Sequence, residues 1–264
     1  TAALENEVIF EGDRLEPGFS DVPGQWGTIW LTDGSTSNEI RNLTIKNATI
    51  GLLIDHNDGN FMTIKNTKIY NSSNIGLYAK TANIKGENIV INYGGLYALA
   101  CTLGGSYEFK HCTFNNNWPS SKQVAVVVNN YYRDENNNQE AFNLFQADFI
   151  NCIIFGSNTY ELSLDKSSDT SKQWNTNFSK CQIKFGSINK DIYNFISDDT
   201  NIKKNGKTDF FDIENNKLVI GEESDAINFG DYTGVNTDVT GAIRVNSGGK
   251  VDLGAYQHIT FPSN

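Results

Sequence analysis

The segment Ile40-Arg41-Asn42-Leu43-Thr44-Ile45 decides the fold, because its six-residue pattern returns along the chain. Apolar side chains stand at the first, fourth and sixth positions of the pattern. A looser copy, with extra residues, is expected at Ile84/Ile89/Ile91. The fourth positions of successive copies are spaced by 24, 22, 23, 40 and 29 residues, and they are Leu43, Thr67, Ile89, Cys112, Cys152 and Cys181. The first three intervals suit one turn of a repeating structure, and the longer two predict insertions.

A second run of alternating apolar residues follows each copy. We interpret these runs as Ile50/Leu52/Ile54, Ile75/Leu77/Ala79, Leu96/Ala98/Ala100, Val124/Val126/Val128 and Leu162/Leu164. Alternation with a period of two is typical of strands with one buried face. Between the two strands of most repeats stands a residue that favours a left-handed corner, namely Asn47, Asn71, Asn116 or Gly156.

Strands that repeat every two dozen residues, always with the apolar side inward, predict an all-β protein. The expected architecture is a single-stranded right-handed parallel β-helix, a solenoid with inserted loops and an irregular C-terminal cap. Each turn would bury its apolar face by stacking on its neighbours ~4.8 Å away. Cys112, Cys152 and Cys181 would share one inward column as small hydrophobic residues, with a disulfide or a metal as the alternative.

We expect one domain over residues 1–264, with an N-terminal loop at 12–24, an insertion at 131–146 and a cap region at 190–264. The formal net charge of −10 and the pI near 4.8 argue against a nucleic-acid partner, which basic surfaces bind. No apolar run is long enough to predict a transmembrane helix. The strand Val8-Ile9-Phe10 stands at the very start, and its edge suggests that preceding strands are missing.

Five segments near the two ends resemble exported β-helix lipoproteins of Bacteroides-type bacteria. They read VIFEGDR at 8–14, PGQWGTIW at 23–30, SDAINFGD at 224–231, TDVTGAIR at 237–244 and VDLGAY at 251–256. Closing segments of this "DIGAYE" type are frequent in secreted, polysaccharide lyase-like β-helix proteins. Asn228 replaces the usual Asp and Gln257 the usual Glu.

The resemblance implies an extracytoplasmic location, at the cell surface, in the periplasm or secreted. It also implies a possible lipid anchor on a missing N-terminal segment and a polysaccharide as partner. It does not supply a reaction, because a fold hosts many activities.

Outward positions offer a basic column. The residue after the first apolar position is expected to be Arg41, Lys65, Lys85 and Lys110 in four successive repeats. Stacked cations repel unless an anion lies between them, so an acidic glycan across this face is one interpretation. The alternative is a solvated face whose cations pair with acids such as Asp58 or Glu87.

A second outward column would hold Leu53, Tyr78 and Tyr97, each two residues after a glycine. Exposed aromatic rings on a sheet can stack against sugars, so Tyr78 and Tyr97 are candidate ligand-binding residues. The same column could instead lie beneath an inserted loop.

Histidines and carboxylates complete the candidates. His111 follows Lys110 and could act as a base, although a lone outward histidine is usually a surface residue. Asp55, His56 and Asp58 form a polar corner that could hold a cation. No motif supports a metal site or a Ca²⁺ requirement, so we expect no cofactor.

Three classes of function remain open at this point. The preferred class is an extracytoplasmic β-helix protein that associates with carbohydrate, and its activity is uncharacterised. The first alternative is a polysaccharide lyase or glycoside hydrolase acting through the basic face with Arg41, Lys65, Lys85, Lys110 and His111. The second is a structural or adhesive surface protein.

Overall fold

The computed structural model describes residues 3–14, 16–57, 59–244 and 248–262. Strand accounts for 47% and helix for 4%, which makes the protein all-β as predicted. One sheet has fifteen strands, all in parallel pairs. A path of eight strands runs through it in the order 8–10, 39–46, 62–72, 75–94, 113–116, 153–156, 181–183 and 202–204. This large parallel sheet is compatible with a β-helix.

The strands of the large sheet are β1 (Val8–Phe10), β2 (Ile29–Leu31), β3 (Glu39–Lys46), β4 (Ile50–Asp55), β5 (Met62–Ser72), β6 (Ile75–Gly94), β7 (Tyr97–Lys110), β8 (Thr113–Asn116), β9 (Val124–Asn129), β12 (Leu144–Ile150), β13 (Ile153–Gly156), β14 (Leu162–Asp165), β15 (Asn177–Ser179), β16 (Cys181–Ile183) and β17 (Ile202–Lys204). Antiparallel pairs are formed by β10 (Tyr131–Arg133) with β11 (Gln139–Ala141), β18 (Phe210–Asp212) with β19 (Lys217–Ile220), and β20 (Gly230–Asp231) with β21 (Lys250–Val251). Two 3₁₀ helices are η1 (Leu4–Asn6) and η2 (Asp191–Ser197).

The predicted inward column is confirmed by the strand register. Leu43 lies opposite Thr67, and Thr67 lies opposite Ile89. The pairing of Val90 with Thr113 places Cys112 next in the column. All six fourth-position residues are buried, and the four cysteines of the chain are free and buried. The interpretation of the cysteines as small core residues is therefore confirmed.

A stack of aromatic rings fills the later half of the interior. The ring centroids of Phe109 and Phe149 are 5.4 Å apart, those of Phe149 and Phe178 are 4.9 Å apart, and those of Phe178 and Phe195 are 4.7 Å apart. Equivalent positions on adjacent parallel strands lie one strand spacing apart, so identical side chains stack on one another. Phe195 belongs to η2, which thereby covers the end of the stack.

Left-handed corners form a column that we call the corner column. Each of its residues stands directly before the fourth position of the six-residue pattern and has φ between 48° and 55°. They are Asn42, Asn66, Asn88, His111, Asn151 and Lys180. The predicted corners Asn47 and Asn71 are confirmed, with φ of 63° and 56°. Those at Asn116 and Gly156 are wrong, because both residues end extended strands, β8 and β13.

Two predicted alignments are wrong by a shift in register. Gly86, not Ile84, lies opposite Ile64 and Phe109. A Cβ added at Gly86 would come 2.6 Å from Cδ1 of Phe109. The phenyl ring of the next repeat therefore fills the space that an apolar residue fills in other copies. Leu99 and Cys101, not Ala98 and Ala100, lie opposite Leu77 and Ala79.

At the start of the predicted cap region, η2 and β17 do cover the final strands, but the C-terminal region that follows them does not sit as a cap. Residues 210–256 pack along the outward face of β5, β6, β8 and β13, where they bury two apolar clusters. Leu218 and Tyr256 contact the cluster around Val90, and Leu253 contacts the cluster around Ile153. The hydrophobic effect explains this placement, because that sheet face carries apolar side chains that its own strands cannot cover.

The remaining segments are placed as follows. The predicted strand Val8–Phe10 is confirmed as β1, whose three side chains are exposed. Within the predicted insertion at 131–146, residues 131–141 form the hairpin β10–β11, whereas residues 144–146 already belong to β12 of the large sheet. In the expected N-terminal loop at 12–24, the described residues contain no strand.

Candidate functional site

The predicted basic face carries acidic as well as basic side chains, which form ion pairs. Glu87 replaces Lys85 in line with Lys65 and Lys110, since Lys65 lies opposite Glu87 and Glu87 lies opposite Lys110. Nζ of Lys65 is 2.7 Å from a carboxylate oxygen of Glu87. Nζ of Lys110 is 3.0 Å from Glu108, and Arg41 pairs with Glu39.

Lys85 lies in the neighbouring column, opposite Thr63 and Glu108. Its ammonium group stands 4.6 Å from the ring centroid of Phe61. Because Arg41, Lys65 and Lys110 are each paired with an acid, this face is not the bare cationic surface that an acidic glycan would favour. The prediction of a four-cation column is therefore wrong.

His111 is fully buried and not a surface residue, because the C-terminal region covers it. Its Nε2 is 3.0 Å from Nδ2 of Asn151 and 3.1 Å from Oγ1 of Thr233, in the C-terminal region that covers it. Burial, followed by the charge of nearby Arg244, lowers the pKa of His111 well below its usual value. A neutral imidazole enclosed in this way links the sheet to the C-terminal region and does not face a substrate.

The predicted tyrosine column occupies two adjacent columns of one apolar surface. Trp30, Leu53 and Tyr78 lie opposite one another on β2, β4 and β6, while Tyr97 lies opposite Ile75 on the neighbouring column. We call the surface formed by Trp30, Ile50, Leu53, Ile75, Tyr78, Leu96, Tyr97 and Val124 the aromatic face. Tyr97 is displaced from the column of Tyr78 because the register of β6 and β7 places Ala100 opposite Tyr78.

Side chains of the aromatic face range from buried to largely exposed. Trp30 is 55% exposed and Leu96 is 42% exposed, while Tyr78 and Tyr97 are half-buried among Ile50 and Ile75. The apolar cluster around Ile75 contains residues of the sheet strands only. The C-terminal region instead covers the sheet face that carries Val90. Within the described residues, no side chain or backbone group hydrogen bonds to the hydroxyl of Tyr78 or Tyr97.

A polar corner borders the aromatic face. Lys80 lies opposite Asp55, with Nζ 3.0 Å from its carboxylate, and His56 Nδ1 is 2.5 Å from the same group. Partial burial raises the pKa of Asp55, but hydrogen bonds to Lys80 and His56 outweigh it and the net pKa is lowered. The predicted third member of this corner, Asp58, lies outside the described residues. Asp55 is thus engaged by two cationic or potentially cationic partners.

A cavity of about 680 Å³ lies between the outward face of β3 and β5 and the C-terminal region. We call it the C-terminal pocket. Apolar and aromatic side chains form most of its wall: Tyr70, Phe211, Val219, Ala242, Tyr256, Ile259 and Pro262. Pockets of this size and character are the usual sites for small molecules.

Polar groups in the pocket are held by the surrounding backbone. Asp238 is buried and its two oxygens accept bonds from Thr240, Ala242 and Gln257. His258 lines the cavity, and its Nδ1 is 2.7 Å from Oδ2 of the fully buried Asp252. A carboxylate that fixes one ring nitrogen leaves the other directed away from it.

Two tyrosines form the inner wall. Burial, then the neighbouring phenol of Tyr256, raises the pKa of Tyr70 well above its usual value. Burial raises the pKa of Tyr256 to about 12. Both phenols therefore stay protonated at neutral pH, and their hydroxyl groups interact with each other.

No family model, no curated protein and no solved structure matches the chain. Among the described residues, no helix has the length and hydrophobicity required to cross a bilayer. In the same part of the chain, no group of three or more His, Cys, Asp or Glu side chains is arranged to hold a metal ion. The functional assignment therefore rests on the aromatic face and the C-terminal pocket.

The C-terminal pocket was not predicted from the sequence. Its walls come from residues near positions 7, 44, 70, 211–219 and 238–262, which only tertiary packing brings together. A weak signal existed, because residues 237–244 and 251–256 belong to the segments on which the expected family resemblance rests. That resemblance gave no reason to place these segments against Tyr70.

Proposed function

We propose that this protein is an extracytoplasmic right-handed parallel β-helix that binds carbohydrate chains on the aromatic face. The handedness is supported by the rule that parallel crossovers within one sheet are almost always right-handed. Export, with a possible lipid anchor, is supported by the terminal segments that resemble exported lipoproteins. The observation that carries the binding function is the uncovered pair Tyr78 and Tyr97 beside exposed Trp30.

The spacing of the aromatic face suits an extended ligand. Trp30, Leu53 and Tyr78 stand on three adjacent strands, so Trp30 and Tyr78 are separated by ~10 Å, or two strand spacings. A sugar ring has apolar C–H faces that stack on aromatic rings and hydroxyl groups that need hydrogen-bond partners. A chain of sugars can therefore contact several strands in succession.

Polar groups beside the aromatic rings supply the hydrogen bonds. The hydroxyls of Tyr78 and Tyr97 have no partner within the described residues, and the next outward column contains Lys80 and Thr102. The Lys80–Asp55 ion pair presents both a donor and an acceptor at this border. A neutral glycan fits this combination better than a polyanion, because the cations on this part of the surface are paired.

The proposal predicts that Tyr78→Ala and Tyr97→Ala each weaken glycan binding about tenfold or more, because each removes a stacking ring and a hydroxyl. Binding partners would first be identified on a glycan array, and dissociation constants would then be measured by isothermal titration calorimetry. Trp30→Ala is expected to weaken binding to a similar degree.

Tyr132→Ala is the matched control, because Tyr132 is 43% exposed but lies on the hairpin β10–β11. The affinity of the Tyr132→Ala variant for the same glycan should stay within twofold of that of the unchanged protein. Absence of binding across the array, or equal loss in all variants including the control, would reject the proposal. Turnover of the glycan into unsaturated or hydrolysed products would instead favour the lyase or hydrolase alternative.

A further inference from the structure

The C-terminal pocket is separate from the aromatic face. Its walls belong to the outward side of β3 and β5 and to the C-terminal region, whereas the aromatic face belongs to β2, β4, β6, β7 and β9. No residue is shared between the two sets. Whatever the pocket binds is therefore independent of the glycan proposed for the aromatic face.

The interior of the pocket is suited to an apolar body. Tyr70 and Tyr256 form its inner wall, and Phe211, Val219 and Ile259 contribute further apolar surface. Phe211 is 39% exposed and Ile259 is 44% exposed, so their apolar surface remains open to a ligand. Burying an apolar group against these side chains contributes about 25 cal/mol per Å² of surface removed from water.

The charged side chains in the wall of the pocket differ in their hydrogen bonds and ion pairs. Glu7 accepts a hydrogen bond from Thr44 at 3.0 Å and pairs with Lys68 at 3.2 Å. Asp238 accepts hydrogen bonds from the backbone of Thr240, Ala242 and Gln257, so its charge is satisfied inside the protein.

Of the two lysines in the wall, Lys217 has the weaker ion pair. Its side chain is 57% exposed, the carboxylate of Asp212 lies 3.9 Å away, and its Nζ stands 5.6 Å from the ring centroid of Phe211. Lys217 stands on β19 beside Val219, which lines the apolar interior, so a positive charge adjoins an apolar cavity. This combination is complementary to a molecule with an apolar body and one acidic group.

We propose that the C-terminal pocket binds a small carboxylate with an aromatic or otherwise apolar body. The body packs between the tyrosine wall and Val219, and the carboxylate pairs with Lys217. One phenol of the Tyr70–Tyr256 pair and the imidazole of His258 can supply further hydrogen bonds within the same cavity.

The test uses a fluorescent probe and a matched pair of competitors. The probe is 8-anilinonaphthalene-1-sulfonate, which has an aromatic body and one negative charge. Its displacement by 2-naphthoate is compared with its displacement by the neutral 2-naphthamide, which has the same body. We expect 2-naphthoate to bind about twofold to fivefold more tightly, as one partly exposed ion pair allows.

Lys217→Glu should abolish the preference for 2-naphthoate and leave the affinity for 2-naphthamide within twofold. Lys122→Glu is the matched control, because Lys122 is an exposed lysine outside the pocket. Ala242→Trp and Val219→Trp each place an indole in the cavity, and both should weaken binding of the probe at least ~10-fold by excluding its body.

Folding of every variant is verified by its thermal unfolding midpoint, and the two tryptophan variants are independent of each other. Unchanged probe binding in a folded Ala242→Trp or Val219→Trp protein would overturn the proposal. So would equal loss of both competitors in Lys217→Glu. Loss of probe binding in Tyr78→Ala would show that the probe occupies the aromatic face, and would also overturn it, whatever the result with glycans.

Discussion

Glu161 is a fully buried carboxylate held by three hydrogen-bond donors. Its Oε1 accepts bonds from Nε2 of Gln123 and the backbone of Asn158, and its Oε2 accepts one from the backbone of Ala125. Burial raises its pKa from 4.5 to about 7, although the hydrogen bonds oppose that shift. In the unfolded chain the group keeps its ordinary pKa, so the folded protein binds the proton more tightly.

This difference predicts a dependence of stability on pH. The contribution of Glu161 is fully present below about pH 4.5 and is lost as the pH rises through about 7, a change of about 3 kcal/mol in the free energy of unfolding. Glu161→Gln should remove that dependence and should lower stability by about 1–3 kcal/mol at neutral pH, because its amide NH₂ would face a backbone donor. Denaturant unfolding at several pH values, compared between the two proteins, measures both effects.

The contribution of His111 to stability changes with pH in the opposite direction to that of Glu161. The pKa of His111 is depressed in the folded state by burial and then by Arg244, with a smaller effect of Lys110. Its contribution to stability is therefore present above about pH 6.5 and is lost as the pH falls, because protonation is favoured in the unfolded chain.

His111→Asn is expected to reduce the fall in thermal midpoint between about pH 7 and about pH 5, since asparagine does not titrate in this range. Asparagine also tolerates the left-handed backbone at this position, where φ is 52°. An equal fall in midpoint in both proteins would contradict the assignment to His111. His56→Asn, at the exposed polar corner, serves as the control.

The corner column shows how single residues combine into an element. Nδ2 of Asn66 donates to Oδ1 of Asn42 at 3.0 Å, and Nδ2 of Asn88 donates to Oδ1 of Asn66 at 3.0 Å. The ladder then meets the C-terminal region, because Nη2 of Arg244 donates to Oδ1 of Asn88 at 2.8 Å. The stacked asparagine side chains thus link adjacent strands to one another.

Two substitutions at Asn66 separate the backbone effect from the hydrogen-bond effect. Asn66→Gly keeps the left-handed corner and loses the ladder, and it should cost about 1–2 kcal/mol of unfolding free energy. Asn66→Ala loses both and should cost about 1–2 kcal/mol more, because a Cβ disfavours φ near 48°. Equal stability of the two variants, measured by denaturant unfolding, would show that backbone strain contributes nothing here.

Across the whole molecule, the C-terminal region is part of the core and not an appendage. Leu253 is fully buried against Ile153, and Leu218 is fully buried beside Val90. Asn151 bonds to the backbone of Asp231, and Ala255 donates to Oγ1 of Thr113. These contacts join residues far apart in sequence, so we expect the sheet and the C-terminal region to unfold together.

Leu253→Ala should lower the free energy of unfolding by about 2–5 kcal/mol, because it leaves a cavity between the two layers. Ile243→Ala is the matched control within the same region, since Ile243 is 77% exposed, and its effect should stay within about 0.5 kcal/mol. Hydrogen exchange should show that Leu253→Ala lowers protection in β8 and β13 as well as around residue 253. Loss of protection confined to the C-terminal region would contradict joint unfolding.

Much of the large sheet was predictable, because its signal is local and repeated. Leu43, Thr67, Ile89, Cys112, Cys152 and Cys181 recur in one pattern, with insertions lengthening the last two intervals, and the strand register confirms their alignment. The candidate site was predicted less well. Tyr78 and Tyr97 do lie on one surface, but the basic column failed at Lys85, because Gly86 carries no side chain to mark the apolar position.

The sequence by itself determined the all-β class and the stacking of equivalent residues, because inward positions must be apolar in every repeat whatever surrounds them. Only the tertiary structure decided which outward surfaces remain open. The C-terminal region buries His111 and encloses the C-terminal pocket, while it leaves the aromatic face uncovered. That choice depends on contacts between residues more than a hundred positions apart, which no periodic pattern encodes.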